Sequence, residues 1–285
     1  MVNQSTFKNV MPKVSSPLLK QMLVAMSCNM FCLITGCTFG FTAVLLPQIK
    51  KDDEFPYSDT YDSWIASSSC LAMAVGCFAG GLLSDRYGRR ITHLIVILPF
   101  LAGWIVLAFA KNVLALLIGR VLTGLSSGVF RSLGAICLGE IVSPIDRPAF
   151  IFTLSVSGNG GILFIHILTG YLSWRLSCFI VCLPVLLGIG LQVLAKESPL
   201  WFMSKGKIGK GTQAFRWFRG TDECSQKELA EILEKQKDRP PELTFKDCLR
   251  AASSKAFLLP LFTVICLSTT VQFSGVNTMS FFAQD

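Results

Sequence analysis

The chain has 285 residues, of which 52% are hydrophobic and only 15% are charged, against roughly 25% charged residues in an average soluble domain. This composition argues against a soluble enzyme, a nucleic-acid-binding protein and a disordered chain, although the formal net charge is +8. Most of the positive charge lies in a few short segments, so its position along the chain decides what it means.

Seven segments are almost free of charge and long enough to cross a bilayer as helices. A hydrocarbon core of about 30 Å requires about 20 apolar residues in an α-helix, and a helix satisfies its own backbone groups in lipid. The sequence therefore predicts an all-α, polytopic membrane protein. Only the fourth segment is interrupted, by Arg120 and Arg131. The predicted membrane helices are, in chain order, 21–49, 63–84, 91–110, 112–139, 148–174, 176–195 and 256–284.

The distribution of Lys and Arg indicates the orientation of these helices. With a cytoplasmic N-terminus, 20 of the 26 basic residues fall on the inner side and four in the outer loops, as the positive-inside rule requires. We therefore expect four regions along the chain. They are a cytoplasmic N-terminus (1–20), a six-helix membrane domain (21–195), a cytoplasmic helical linker (196–255) and a seventh membrane helix (256–285).

The linker contains one clear helical pattern. Residues 223–237 predict a surface helix, because Leu229, Ile232 and Leu233 share one face. A second short helix is expected over 244–252. Six helices, a helical linker and the start of another set resemble the major facilitator plan of two six-helix halves. On that plan we expect one half and the start of an incomplete second half.

Charged residues cluster at the cytoplasmic ends of the second, third and fourth predicted helices. Residues 85–90 read DRYGRR, and Glu140 and Arg147 follow in the pattern E-x6-R. A Glu at the bilayer edge is costly unless it is paired, and Arg binds carboxylates in a bidentate manner. The pattern predicts a cytoplasmic charge latch that breaks when the halves move apart. The alternative interpretation is an ordinary positively charged loop.

Four motifs, in order along the chain, resemble those of the sugar porter family. DRYGRR at 85–90 resembles its D-R-x-G-R-R loop, and residues 119–147 are similar to its G-R…E-x6-R pattern. ESPLW at 197–201 resembles its P-E-S-P-x-W, and QFSGVN at 272–277 resembles its Q-Q-x-S-G-x-N. By this resemblance the charge latch comprises Asp85, Arg86, Arg89, Arg90, Arg120, Glu140, Arg147 and Glu197.

Three further runs resemble the insect facilitated trehalose and hexose transporters of that family. They are GFTAVLLP at 40–47, SWIAS at 63–67 and GNGGIL at 158–163. The resemblance implies facilitated diffusion of a hexose or trehalose across the plasma membrane by alternating access. It implies a sugar and the lipid bilayer as partners, and no enzymatic activity, cofactor, metal or nucleic acid.

The resemblance also implies sugar-binding positions. Gln272 and Asn277 match the family's sugar-binding amides, each of which can bridge two hydroxyls. The alternative is that these amides hydrogen-bond between helices. Ser155 stands where the family has a Gln, and Phe281 stands where it has a Tyr. We expect both to line the site while offering it fewer hydrogen bonds.

Arg131 matches no family pattern, and we expect it to face the central cavity or to extend toward the membrane surface. The deep parts of the predicted helices hold no Asp or Glu, so this half offers no evident proton carrier. Two alternatives to sugar transport remain at this point. One is the transport of another small solute, because several expected amides are replaced. The other is a non-transporting truncated or regulatory protein, which would assemble with a full-length relative.

Overall fold

The computed structural model describes residues 17–50, 55, 59–237 and 253–275, and its regular elements in those ranges are all helical. A short 3-10 turn at Asp59–Tyr61 precedes the second helix. The α-helices are α1 (Pro17–Lys50), α2 (Asp62–Tyr87), α3 (Arg89–Ala108), α4 (Val113–Ile141), α5 (Arg147–Tyr171), α6 (Trp174–Leu194), α7 (Pro199–Ser204), α8 (Ile208–Arg219), α9 (Glu223–Lys237) and α10 (Lys255–Phe273).

The first six helices confirm the predicted pattern of membrane crossings. Each of α1 to α6 is long and apolar enough to span a bilayer. One predicted boundary was wrong: the fifth helix was expected to continue through Trp174, but that residue begins α6. The chain turns there because Ser173 caps α6, its side chain accepting a hydrogen bond from the backbone N–H of Leu176 at 3.4 Å.

The helix α10 provides the described part of the predicted seventh crossing. It is apolar over Phe257–Val271, and its described side chains are exposed. The remainder of that prediction, residues 276–284, lies outside the described residues, as do the helix expected over 244–252 and positions 1–16.

Two central helices organise the six-helix bundle. α1 packs mainly on α5 and α6, whereas α4 packs mainly on α2 and α3, and the two central helices also contact each other. The first helix of each set of three therefore packs on the last two helices of the other set. This is the arrangement expected of two three-helix repeats nested in one half of a major facilitator protein.

Glycine allows the closest of these crossings. A Cβ placed on Gly36 would lie 1.9 Å from the carbonyl oxygen of Gly158, where α1 crosses α5. A Cβ on Gly128 would lie 2.1 Å from the carbonyl oxygen of Met73, where α4 crosses α2. Backbones that approach this closely pack by van der Waals contact, which replaces the hydrophobic effect as the source of helix association in lipid.

An aromatic cluster fills the centre of the bundle. Phe31 and Phe130 stack with ring centroids 4.8 Å apart, and the imidazole of His93 stacks on Phe31 at 5.1 Å. Phe100 and Trp104 extend the cluster through edge-to-face contacts, a geometry that aromatic quadrupoles favour. These side chains tie α1, α3 and α4 together.

The linker packs as a small helical layer of its own. Leu229 is buried against Met203 and Phe215, and Ile232 and Leu233 pack at the edge of that cluster. The predicted apolar face of α9 is therefore confirmed. The linker also contains α7 and α8, which the sequence analysis did not predict.

Candidate functional site

An ion pair between α3 and α4 forms the centre of the candidate site. Arg89 lies at the first position of α3, and Glu140 lies near the end of α4. The Arg89 Nη2 donates to Glu140 Oε1 at 2.7 Å, and its Nε donates to Glu140 Oε2 at 3.0 Å. Both side chains are largely buried, with 12% and 15% of their surface exposed. A bidentate pair of this kind fixes both position and orientation.

The same guanidinium also binds the end of α2. Its Nη1 donates to the carbonyl oxygen of Ser84 at 3.0 Å and to Asp85 Oδ1 at 3.2 Å. Arg89 therefore connects three helices, because it touches the end of α2, begins α3 and reaches α4.

Glu197 occupies the N-terminus of α3. Its Oε1 accepts hydrogen bonds from the backbone N–H groups of Arg89 at 2.8 Å and Arg90 at 3.1 Å. The first N–H groups of a helix lack partners within the helix and carry partial positive charge, so a carboxylate is stabilised there. Gly88 makes this approach possible, because a Cβ at that position would lie 2.5 Å from Glu197 Oε2.

Ser198 and Arg90 complete what we call the charge cluster: Asp85, Arg89, Arg90, Glu140, Glu197 and Ser198. The Ser198 hydroxyl donates to Glu140 Oε2 at 2.5 Å. Arg90 donates from Nε and Nη2 to the carbonyl oxygens of Gln192 and Val193, at 3.2 and 2.6 Å. Those carbonyls belong to the last turn of α6, where a cation is favoured by the helix dipole.

The charge cluster joins the bundle to the start of the linker. Glu197 and Ser198 directly precede α7, and the indole Nε1 of Trp201 donates to the carbonyl oxygen of Asp85 at 3.0 Å. Beside the cluster, a cavity of about 600 Å³ lies between α7 and α9. The ion pair can therefore be reached by water from the linker side.

Three residues expected in the charge latch lie apart from this cluster. Arg86 is exposed and rests over the ring of Tyr87 at 5.5 Å. Arg147 begins α5, and within the described chain its buried Nε has no hydrogen-bond partner. Arg120 precedes Glu140 by twenty residues on α4, which places it about 30 Å away along the helix axis. Arg120 is thus part of a different site.

Arg120 is fully buried and joins α4 to α1 and α2. Its guanidinium donates to the carbonyl oxygen of Thr38 at 2.9 Å and to Ser69 Oγ at 2.6 Å. It also donates to the hydroxyl of Thr42 and to the carbonyl oxygen of Ile65. Within the described residues its hydrogen-bond partners are all neutral oxygens, so the planar fork of five donors accounts for this contact better than an ion pair does.

Of the four sugar-binding positions that were expected, the structure describes one side chain. Ser155 is exposed on α5 and lines a cavity of about 170 Å³ with residues of α1 and α4. Gln272 falls within α10, but its side chain lies outside the described residues, as do Asn277 and Phe281. Arg131 lines the same cavity as Ser155.

Sequence analysis did not identify Ser198 or Gly88 as members of the site. Ser198 had a signal, because a Ser that precedes Pro199 is a typical helix N-cap, and its hydroxyl also accepts from the N–H of Trp201 at 3.3 Å. Its donation to Glu140 depends on how the linker folds back, which no local pattern encodes.

Solved structures share this architecture. The partially occluded inward-open conformation of the xylose transporter XylE from E. coli superimposes with a TM-score of 0.72 at 18% sequence identity. That match covers 93% of this chain and 66% of the xylose transporter chain. At this identity the likeness establishes the fold, a major facilitator arrangement.

Similar proteins among curated sequences include insect transporters. The chain is 32% identical over 265 residues to the facilitated trehalose transporter Tret1 of Apis mellifera ligustica, covering 92% of this chain and 52% of that protein. It is 30% identical over 268 residues to the Tret1 of Bombyx mori. The chain thus spans about half the length of the relatives it matches. The model of the sugar (and other) transporter family matches residues 21–285, so this multi-pass membrane chain belongs to that family.

Proposed function

We propose that this chain forms the first half and seventh helix of a transporter that moves a hexose or trehalose by facilitated diffusion. Membership of the sugar transporter family and similarity to proteins named facilitated trehalose transporters support this proposal. The transporter would alternate between states open to either side of the membrane, with the substrate site near the bilayer midplane.

The observation that carries the proposal is the position of the charge cluster. It fastens the linker, which leads to helix seven, onto the ends of α2, α3 and α4. Motion of the linker relative to the bundle would separate Glu197 from the N-terminus of α3 and Ser198 from Glu140. The cluster would then act as a charge latch, closed in one state and broken in the other. Breaking several charge-assisted hydrogen bonds costs free energy, so the closed and broken states of the latch differ in stability.

Sugar recognition is assigned to the first half and helix seven together. Ser155 offers a hydroxyl at the cavity of α1, α4 and α5. Gln272 and Asn277 would supply amides that pair with adjacent sugar hydroxyls, and Phe281 would cover the apolar face of the ring.

The location we propose is the plasma membrane, with residues 1–20 and the linker (196–255) in the cytoplasm. The excess of Lys and Arg on that side supports the orientation. The four regions at 1–20, 21–195, 196–255 and 256–285 are the proposed division of the chain. Assembly with a full-length relative stays a prediction from the sequence.

Uptake of labelled trehalose and glucose by proteoliposomes that contain the full-length native protein tests this function. We expect saturable uptake that needs no ion gradient. Glu140→Gln should reduce the maximal rate several-fold and change KM little, because Glu140 lies at the membrane edge and does not line the cavity of Ser155. Asn277→Ala should instead raise KM, since it removes a proposed contact to the sugar.

The matched control is Glu223→Gln, which removes an exposed carboxylate of α9 that pairs with Lys227. It should leave uptake unchanged, as exposed i, i+4 pairs contribute little. An absence of sugar uptake in correctly folded wild-type protein would overturn the proposed function. Equal rates for Glu140→Gln and the control would overturn the latch role alone.

A further inference from the structure

Arg131 is a cation in the middle of the membrane-spanning part of α4. It precedes Glu140 by nine residues, which corresponds to about 13 Å along the helix axis. With Glu140 at the membrane edge and a hydrocarbon core of about 30 Å, Arg131 lies close to the midplane. Its side chain is exposed. A charge at this depth is costly unless it faces a water-filled cavity or a partner, so the position of Arg131 requires one of the two.

The surroundings of Arg131 are those of a cavity and not of a lipid-facing surface. The cavity of about 170 Å³ is lined by Cys32 of α1, Arg131 and Ala135 of α4, and Ile151, Leu154 and Ser155 of α5. Along α5, polar side chains continue from the exposed Ser155 to the exposed Asn159 one turn later and to the partly buried His166 two turns further. Exposed positions of α2 and α3 carry large apolar groups, such as Phe78 and Leu98, as a surface in contact with lipid requires.

The first six helices supply no acid to pair with Arg131 at this depth. Between residues 63 and 195 the only carboxylates are Asp85, Glu140 and Asp146, which all lie at the cytoplasmic ends of helices. Arg131 also makes no ion pair or hydrogen bond within the described residues. Arg120 differs in this respect, because its guanidinium N–H groups donate to protein oxygens. The donors of Arg131 remain open to the cavity.

A neutral sugar does not require a guanidinium, because amides and hydroxyls satisfy its hydroxyl groups. A planar guanidinium instead matches a carboxylate, with two parallel hydrogen bonds. A phosphate ester carries a charge of about −1.5 to −2 near neutral pH, which a single Arg would leave unbalanced. One cation beside neutral donors therefore favours a monoanion.

We propose that Arg131 and Ser155 form a subsite for a sugar that carries a carboxylate, such as a uronate or aldonate. The carboxylate binds the Arg131 guanidinium, and the hydroxyls of the ring bind Ser155 and Asn159. The inference rests on the proposed function, and it extends the substrate class of the same site from neutral sugars to sugar acids.

The test uses two ligands of nearly the same shape, glucuronate and its neutral amide, glucuronamide. Binding to the purified full-length native protein is measured by the shift of its melting temperature with ligand concentration, which does not depend on transport. Competition with labelled glucose uptake in proteoliposomes is measured alongside. We expect glucuronate to bind about tenfold or more tightly than glucuronamide, as a charge-assisted bidentate contact should provide.

Variants then assign the preference to the residue. Arg131→Gln should make the two ligands equal by lowering affinity for glucuronate alone, and Arg131→Lys should retain part of the preference. Lys210→Gln makes the same charge change at an exposed linker position and should alter neither ligand. If Arg131→Gln does not fold, the comparison of the two ligands on the wild-type protein still decides the matter.

The outcomes separate this inference from the proposed function. Equal binding of glucuronate and glucuronamide by the wild-type protein would overturn the subsite, even if glucose is transported. That result would also be expected if an acid elsewhere in the protein occupies Arg131. A preference for glucuronate that depends on Arg131, without any sugar uptake, would support the subsite and overturn the transport function.

Discussion

The backbone of Gly88 limits how the charge cluster can be built. Its φ of +99° and ψ of 165° fall in a region that is essentially restricted to glycine. The same residue lets Glu197 reach the first N–H groups of α3. One position therefore provides both the turn between α2 and α3 and the space for the carboxylate.

Gly88→Ala should consequently destabilise the protein by about 1–3 kcal/mol, the usual cost of such a backbone conformation, before the displacement of Glu197 is added. We expect a fall in melting temperature of about 5 °C, measured in detergent by a thiol-reactive dye or intrinsic fluorescence. Gly81→Ala is the matched control, because a Cβ there meets no atom within 4 Å. An equal effect of both substitutions would contradict the steric explanation.

The role of Arg120 depends on the shape of its guanidinium and not on its charge alone. Its guanidinium donates to four oxygens of α1 and α2 within the described residues, and these contacts depend on the planar fork. Arg120→Lys keeps the charge but cannot reach all four acceptors, so buried polar groups lose partners at about 1–3 kcal/mol each. We expect the melting temperature to fall by at least about 5 °C.

The comparison for Arg120→Lys is Arg216→Lys, at an exposed position of α8. That change should leave the melting temperature within about 1 °C, since exposed substitutions away from special features usually cost little. A stable Arg120→Lys protein would show that a point charge suffices and would return Arg120 to an electrostatic role.

Among the helices, the closest crossings depend on glycines, both where α1 crosses α5 and where α2 crosses α4. Gly161 of α5 faces α1 so closely that an added Cβ would lie 1.9 Å from the carbonyl oxygen of Leu33. Gly161→Ala should push α5 from α1 and reduce the properly folded fraction, measured by fluorescence-detected size-exclusion chromatography and by melting temperature. Gly170→Ala, in the same helix with nothing within 4 Å of the added carbon, should be neutral or slightly stabilising.

The helices themselves could be predicted because each crossing needs a long segment without charge, a requirement imposed by lipid on every residue of the span. The exceptions follow from local chemistry that this requirement does not include. The boundary at Trp174 depends on a Ser cap. Helix α8 did carry a signal that was not used, since Gly211, Ala214 and Phe218 recur at helical spacing and are buried.

For the molecule as a whole, the sequence predicted some residues of the candidate site but not all of the contacts between them. Motifs identified Arg89, Glu140 and Glu197, because each carries charge at a membrane edge where pairing is required. The contacts of Glu197 with the start of α3 and of Ser198 with Glu140 depend on the return of the linker to the bundle, because they join residues 108 and 58 positions apart. Arg86, Arg120 and Arg147 do not join the cluster, and for Arg120 the reason is its distance of about 30 Å from Glu140 along α4.

The orientation of the molecule gives the last prediction. Cys224 is exposed in α9 of the linker, and Lys111 is exposed in the turn between α3 and α4, at the opposite ends of the membrane helices. With a cytoplasmic linker, a membrane-impermeant maleimide should leave Cys224 unlabelled in intact cells and label it in inside-out vesicles. Mass spectrometry of the Cys224 peptide provides the readout, with Cys224→Ser as its control.

A second variant, Lys111→Cys, should show the reverse pattern. Its new thiol should react in intact cells, because this turn would face the exterior. Labelling of Cys224 in intact cells, together with protection of the thiol at position 111, would show that the orientation is the opposite of the one proposed. The charge cluster would then lie on the outer face, and the excess of Lys and Arg beside it would run against the positive-inside rule. Labelling therefore tests the orientation without relying on transport, since it depends only on which aqueous compartment each end of the bundle faces.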